Sequence, residues 1–410
     1  MNTTLTEQQA DDWLDSAKKG WGVDDIEPWL FEGRKLGPGL VKALEDMQDR
    51  PQPAFRSTGI KIALNRFIEN ANAHHFPFFW EPHPLVKSSR DLRDLPPSTR
   101  SVRIDTAAQP AEAAKTAEGL SRLPNLESLW ICGPDQAEFL QSAHATAIKN
   151  LILETGRVKK YNLGMLSGFE NVEFLQVFAE SFDHPGALAG LRSLRSLFLQ
   201  GAVSDLDFLS CLDHLRYLRL KGYKAEAFGP LAALPHLEAL YLDSPARLID
   251  LAQIKACLPQ LVELGLWDAR LLENVSELRN AAKLKKLKIH GLPKATDFSA
   301  LPGMGRLSDL RLSKCGKLTK VDFIKQLGGV VHFDFSSMPP LPSLSVFSPL
   351  NKLKRLNLVG TRIKDKSYQP LHSLKNLLVL NAWRLSDSEM NALRKRQPDL
   401  ILNGQPAWKE

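Results

Sequence analysis

The side chains that could do chemistry in this 410-residue chain are scattered, and none of them assembles into a reactive set. His74, His75 and His83 lie close together, but no cysteine or carboxylate is spaced to complete a tetrahedral metal site, so they read as a packed loop. Gly37-Pro-Gly39 has the glycines of a phosphate loop without the Gly-Lys-Ser/Thr ending or a preceding strand, and reads as a turn before a helix. No Gly-x-Ser-x-Gly elbow is present. Cys132, Cys211, Cys257 and Cys315 have no paired spacing, which points to free thiols in a reducing compartment. The expectation is therefore no catalytic residues, no metal ligands and no cofactor. What remains is recognition chemistry: aromatic rings and arginines, the residue types that dominate binding hot spots.

Those rings and cations recur at a fixed interval, and the interval is set by a phrase. Leu215-x-x-Leu218-x-Leu220 is followed by Leu237-x-x-Leu240-x-Leu242. The last two leucines of each copy are two residues apart, the period that places both side chains on one face of a strand. The first positions of the phrase fall at Leu126, Ile148, Val172, Leu194, Leu215, Leu237, Leu261, Leu284, Leu307, Val330, Leu353 and Leu377, with spacings from 21 to 24 residues. One such unit cannot bury its apolar edge alone, so successive units must stack.

On these residues the chain resembles bacterial leucine-rich repeat proteins of the internalin-like group, over roughly residues 98–404. The resemblance implies an α/β leucine-rich repeat solenoid, a horseshoe or arc with a parallel concave sheet, short convex helices or turns, and a helical amino-terminal cap. In the return half, Asp207-Phe208, Asp297-Phe298 and Asp322-Phe323 each open a short apolar stretch, where the aspartate is expected to cap a short convex helix. One departure stands out. The family places an asparagine two residues after the strand to hold the turn backbone, and here those positions carry Ala202, Tyr223, Pro245, Ala269, Leu292, Cys315 and Thr361.

Residues 1–95 lack the phrase and read as a helical capping region. Thr6 and Gln9 form a capping box, further helices fall over 40–47 and from Ile60 to Ile68, and Trp21, Trp29, Phe79 and Trp80 could cover the first repeat. The solenoid is expected over 96–404, with Val102 and Ile104 in its first strand. Ser386 and Glu389 open a carboxy-terminal cap over about 386–404, with a closing strand at Leu400 to Leu402. No apolar run approaches a membrane span, and the amino terminus lacks the basic and apolar regions of a secretory signal, so a cytoplasmic location is expected.

Strand alternation turns the residue between the last two leucines away from the core. That column reads Trp130, Ile152, Gln176, Phe198, Arg219, Tyr241, Gly265, Lys288, Arg311, Asp334, Asn357 and Asn381; the column after the final leucine adds Phe178, Lys221, Trp267 and His290. With Phe174 and Tyr217, these define an aromatic stretch beside a basic one. The expected partner-binding residues are Trp130, Phe174, Phe178, Phe198, Tyr217, Arg219, Lys221, Tyr241, Trp267, Lys288, His290 and Arg311. Tyr241, Trp267 and Arg219 are expected to face solvent, so that replacing them removes binding and leaves thermal stability nearly unchanged. The leading function is a non-catalytic scaffold for a partner protein with an acidic and apolar surface, by family analogy an inhibitor, immunity or adaptor protein. The formal charge of +7 permits nucleic acid as a second partner class, with the Arg/Lys patch on phosphates. An effector activity in residues 1–95 ranks third.

Overall fold

The phrase becomes strand because its leucines have a core to enter on one side only. The computed structural model describes residues 84–105, 113–134, 136–156, 158–203, 205–224, 228–383, 385–397 and 400–405. The amino-terminal helices, the three histidines and Gly37–Gly39 lie outside these residues. The chain divides into two compact units, Met1–Ile152 and Leu153–Glu410.

In the amino-terminal unit, β1 (Leu85–Val86), β2 (Ser101–Asp105) and β3 (Ser128–Cys132) pair in parallel. Val86, Val102, Ile104, Leu129 and Ile131 point inward and are fully buried or nearly so. Helices α1 (Ser89–Arg93), α2 (Ala113–Glu118) and α3 (Gln136–Ser142) return the chain between strands. Strand β4 (Asn150–Glu154) spans the residues at which the division falls.

In the carboxy-terminal unit the same rule repeats more regularly. After β5 (Lys160–Asn162), a parallel ladder runs through β6 (Phe174–Asp183), β7 (Ser196–Ala202), β8 (Tyr217–Lys221), β9 (Ala239–Asp243) and β10 (Glu263–Trp267). It continues through β11 (Lys286–His290), β12 (Asp309–Ser313), β13 (His332–Ser336), β14 (Arg355–Asn357), β15 (Val379–Trp383) and β16 (Ile401–Gln405). Leu218, Leu240, Leu264, Leu287 and Leu310 pair in register, and each is completely buried. Each such leucine contributes about 1.5–3 kcal/mol by leaving water. At β13 the pair becomes Phe333 and Phe335, whose larger volume is filled edge-on with Phe347 at centroid distances of 5.5 and 6.1 Å.

A repeat of this length leaves little chain for the return path, and it is taken by single 3₁₀ turns such as Asp207–Cys211, Ser276–Asn280 and Asp322–Gln326. The aspartates do not cap as expected. Asp207 and Asp322 are the first residues of their turns rather than the preceding cap, and their side chains make no capping bond. Asp297 does accept from the backbone N–H of Ser299, at 2.8 Å. At the end of the unit, Ser386 and Glu389 form the expected capping box on α4 (Asp387–Arg396), and β16 follows.

The missing asparagines are replaced by backbone geometry. Gly222, Ser244, Asp268, Gly291, Lys314 and Ser337, one per repeat directly after the strand, all have positive φ, as do Gly201 within β7 and Gly360 three residues past β14. The N–H groups of Gly222, Ser244, Asp268 and Gly291 each donate to the last strand carbonyl of the next repeat, and that of Ser337 to the Val359 carbonyl two residues past β14, at 2.7–2.9 Å. The next position turns inward, so Tyr223, Ala269, Leu292 and Cys315 join the core instead of bonding the turn. Thr361 is the exception: its Oγ1 donates to the Phe335 carbonyl at 2.7 Å and accepts from the Met338 N–H at 3.0 Å.

Candidate interaction face

The outward side of the carboxy-terminal ladder carries three rows of side chains, two residues apart along each strand by alternation and one strand apart along the sheet. The central row pairs Gln176, Phe198, Arg219, Tyr241, Gly265, Lys288, Arg311 and Asp334 in that order, the register expected from the phrase. The row after it pairs Phe178, Gln200, Lys221, Asp243, Trp267, His290 and Ser313. A third row, Phe174, Ser196, Tyr217, Ala239, Glu263, Lys286 and Asp309, begins each strand.

The rings do not stand freely in solvent. Phe174, Phe198, Tyr217 and Tyr241 are 2, 8, 4 and 6 % exposed, because neighbouring strands bring them into contact. Phe178 meets Phe198 edge-on at 5.3 Å, Tyr217 packs at 5.2 Å from Tyr241, and Tyr241 stacks on Trp267 at 5.3 Å. Gly265 makes the stack feasible. A Cβ there would fall 2.1 Å from Tyr241 and 2.4 Å from Trp267, so the indole lies over a strand position that has no side chain. The Arg219 guanidinium lies over both Phe198 (4.7 Å) and Trp267 (5.3 Å) and reaches Asp243 at 3.8 Å. Phe178, Arg219, Lys221 and Trp267 stay half-buried, presenting edges and charge.

Beneath the stack sits a polar network that sequence reasoning missed. The Tyr241 hydroxyl donates to Glu263 Oε2 at 2.5 Å, and Lys286 Nζ donates to Oε1 at 2.6 Å. Burial alone would raise the Glu263 carboxyl, but these two donors outweigh it and hold the group below the usual carboxylate range. The Tyr241 hydroxyl is pushed well up, first by burial and then by the Glu263 charge. The only sequence signal for Glu263 was an acid in the third row, opposite a lysine one repeat later. Because of this network the expectation for Tyr241 needs correcting: it is a packed, bonded side chain whose removal will cost stability.

The basic residues continue the face on β11 and β12. Lys288 Nζ lies 5.6 Å from the Tyr241 ring centroid, His290 Nδ1 is 2.7 Å from Ser313 Oγ, and Arg311 pairs with Asp309 at 3.2 Å. Burial, and then the Arg311 charge, push the Lys288 ammonium below the ordinary lysine value. Trp130 belongs to the amino-terminal unit, where Arg103 lies over its ring at 4.0 Å. All four cysteines are free, and Cys257 and Cys315 are buried, their thiols raised to about 12 and about 11 by burial. Among the described residues no helix is long and apolar enough to cross a membrane, and no group of three His, Cys, Asp or Glu could hold a metal ion.

The repeats, ladder and return turns together define a leucine-rich repeat fold. An internalin from Listeria monocytogenes has the same fold: it superposes with a TM-score of 0.52 at 20 % identity, covering 71 % of this chain and 83 % of the internalin. A leucine-rich repeat protein from Leptospira interrogans superposes with a TM-score of 0.42 at 16 % identity, over 78 % of this chain and all of that one. In sequence, the chain is 28 % identical over 194 residues to a Trypanosoma equiperdum protein named as an adenylate cyclase regulatory protein. That match covers 46 % of this chain and 30 % of the trypanosome protein's length. No family model matches the chain.

Proposed function

We propose that the chain is a non-catalytic protein-binding scaffold that engages a partner through the outward face of its carboxy-terminal ladder. The observation that carries this reading is the Phe198–Arg219–Trp267–Tyr241 stack: a pre-ordered ring and guanidinium cluster, held by neighbouring strands, with the edges of Trp267, Phe178 and Lys221 open to solvent. Such a cluster binds with little loss of side-chain freedom, because its rotamers are already fixed. The partner surface that fits it is apolar opposite the rings and acidic opposite the adjoining cations. A regulatory or adaptor role agrees with the name of the trypanosome relative, which shares less than half of this chain.

The test is affinity purification from lysate of the source organism, with and without nuclease, using wild type beside Phe178→Ala/Trp267→Ala. These positions are half-buried and make no hydrogen bond to the Glu263 network, so the variant should keep its fold by circular dichroism. A protein retained by wild type, lost from the variant and indifferent to nuclease supports the scaffold. Equal recovery from both proteins would refute it.

A further inference from the structure

Charge is distributed unevenly along the repeats. From Lys283 to Lys375 the chain has 18 lysines and arginines against 5 aspartates and no glutamate, an excess of 13, whereas the remainder carries 35 basic against 41 acidic residues. The structure places part of this excess on the outward side of the ladder and at the two ends of its strands. Lys285 and Lys354 are exposed at the entry to their strands, their backbones linked through Val262, Ser308 and Val331 in one row. Lys294, Lys314, Lys317, Arg362 and Lys364 are exposed in the turns at the other end of the strands. Between the rims lie Lys286, Lys288, Arg311 and Arg355 on the sheet itself.

The acids nearest the centre are already engaged. Glu263 is held by Lys286 and Asp309 by Arg311, so Lys288 has no carboxylate within ion-pair distance among the described residues. Glu263 and Asp309 act on this half-buried ammonium only from a distance, between the charges of Arg311 and Lys286, so an incoming carboxylate would give it its first direct ion pair.

We propose that the repeats from Lys283 to Lys375 are the docking surface for an acidic segment of the partner protein, with a carboxylate seated on Lys288 and further acids along the two lysine rims. This rests on the scaffold reading and extends it to the repeats beyond the ring cluster. Nucleic acid fits less well, for two reasons. Asp309 and Asp334 stand in the face between the cations, and Asp334 accepts from Asn357 and the Ser336 N–H. A phosphate backbone brings a negative charge at every step and meets these carboxylates, whereas a protein segment can place a cation or amide there. Among the described residues the outward rows of β11 to β14 also carry no phenylalanine, tyrosine or tryptophan on which bases could stack.

The experiment uses the full chain and three fluorescein-labelled probes: a peptide alternating glutamate with leucine, its lysine-for-glutamate counterpart, and a single-stranded oligonucleotide of equal charge to the first. Fluorescence anisotropy is followed at low and physiological salt for wild type, for Lys288→Gln, and for Lys285→Glu/Lys354→Glu, whose two positions are exposed. The acidic peptide should bind, weaken with salt, and lose about tenfold in affinity in each variant, while the basic peptide stays unbound. Tighter binding of the oligonucleotide would overturn the proposal in favour of nucleic acid. Acidic-peptide binding that is absent, or unchanged by both variants, would overturn it outright. In those cases a partner still lost through Phe178→Ala/Trp267→Ala would leave the scaffold reading standing.

Discussion

At the scale of single residues, Tyr241 shows how a side chain on the outward side of a sheet becomes part of the structure. Its ring is held between Tyr217 and Trp267, and its hydroxyl donates to a carboxylate that also accepts from Lys286. Tyr241→Phe keeps the ring but leaves one buried Glu263 oxygen without its donor, which costs about 1–3 kcal/mol. A fall in the thermal midpoint for this conservative change checks the network, and an unchanged midpoint would show that water replaces the hydroxyl. The same network predicts a pH dependence. The Glu263 carboxyl is held below its ordinary value of 4.5, so its contribution is complete above that pH and disappears as pH falls through the lower folded value. Wild type should therefore lose stability faster than Glu263→Gln between about pH 5 and about pH 3. Parallel acid limbs in the two proteins would mean that the ionised carboxylate adds nothing to folding.

At the scale of the element, the register of the regular strands was legible in the sequence, whereas β1 inside the expected helical cap, the extra strand β5 and the turn chemistry were not. Two leucines at a spacing of two admit only one facing, which is why the column from Phe198 to Asp334 stands where the phrase puts it. The phrase says nothing of how far a ring on that column leans over its neighbour, and so the burial of Phe198, Tyr217 and Tyr241 could not be read from it. A glycine at Gly265, between a tyrosine one repeat back and a tryptophan two residues on, was the available hint. The turns were hidden for a different reason: their geometry is carried by backbone φ at residues as unlike as Gly291, Lys314 and Asp268. Gly291→Ala tests that account, since φ is +70° and the new Cβ would lie 2.3 Å from Asp268 Oδ1. A destabilisation of about 1–3 kcal/mol is expected, and tolerance at this position would argue against a geometric ladder. Thr361→Val should cost about 2 kcal/mol or more by leaving the buried Met338 N–H without its acceptor, a loss that denaturant titration resolves.

At the scale of the whole molecule, a repeat array has no single centre, because each repeat touches mainly its neighbours. Leu240→Ala removes a completely buried leucine between two strands and should cost about 2–5 kcal/mol, but the damage should be local. Charge is the property that does act along the array. Thirteen excess positive charges between Lys283 and Lys375 repel one another in the folded state at distances the Debye length brackets, about 30 Å at 0.01 M salt and about 8 Å at 0.15 M. The ion pairs that oppose this repulsion, such as Lys294–Glu273 and Lys325–Asp322, are solvent-exposed and individually weak. Repulsion should therefore outweigh pairing, and the thermal midpoint of the free protein should rise as salt is added over that range. A surface dominated by its ion pairs would give the opposite slope. Lys285→Glu/Lys354→Glu should flatten the rise, because it removes charge from the same row without touching a core side chain. Calorimetry across the salt series, on wild type and this variant, measures the repulsion that an acidic partner relieves on binding, and a salt-independent midpoint in wild type would show that there is none to relieve.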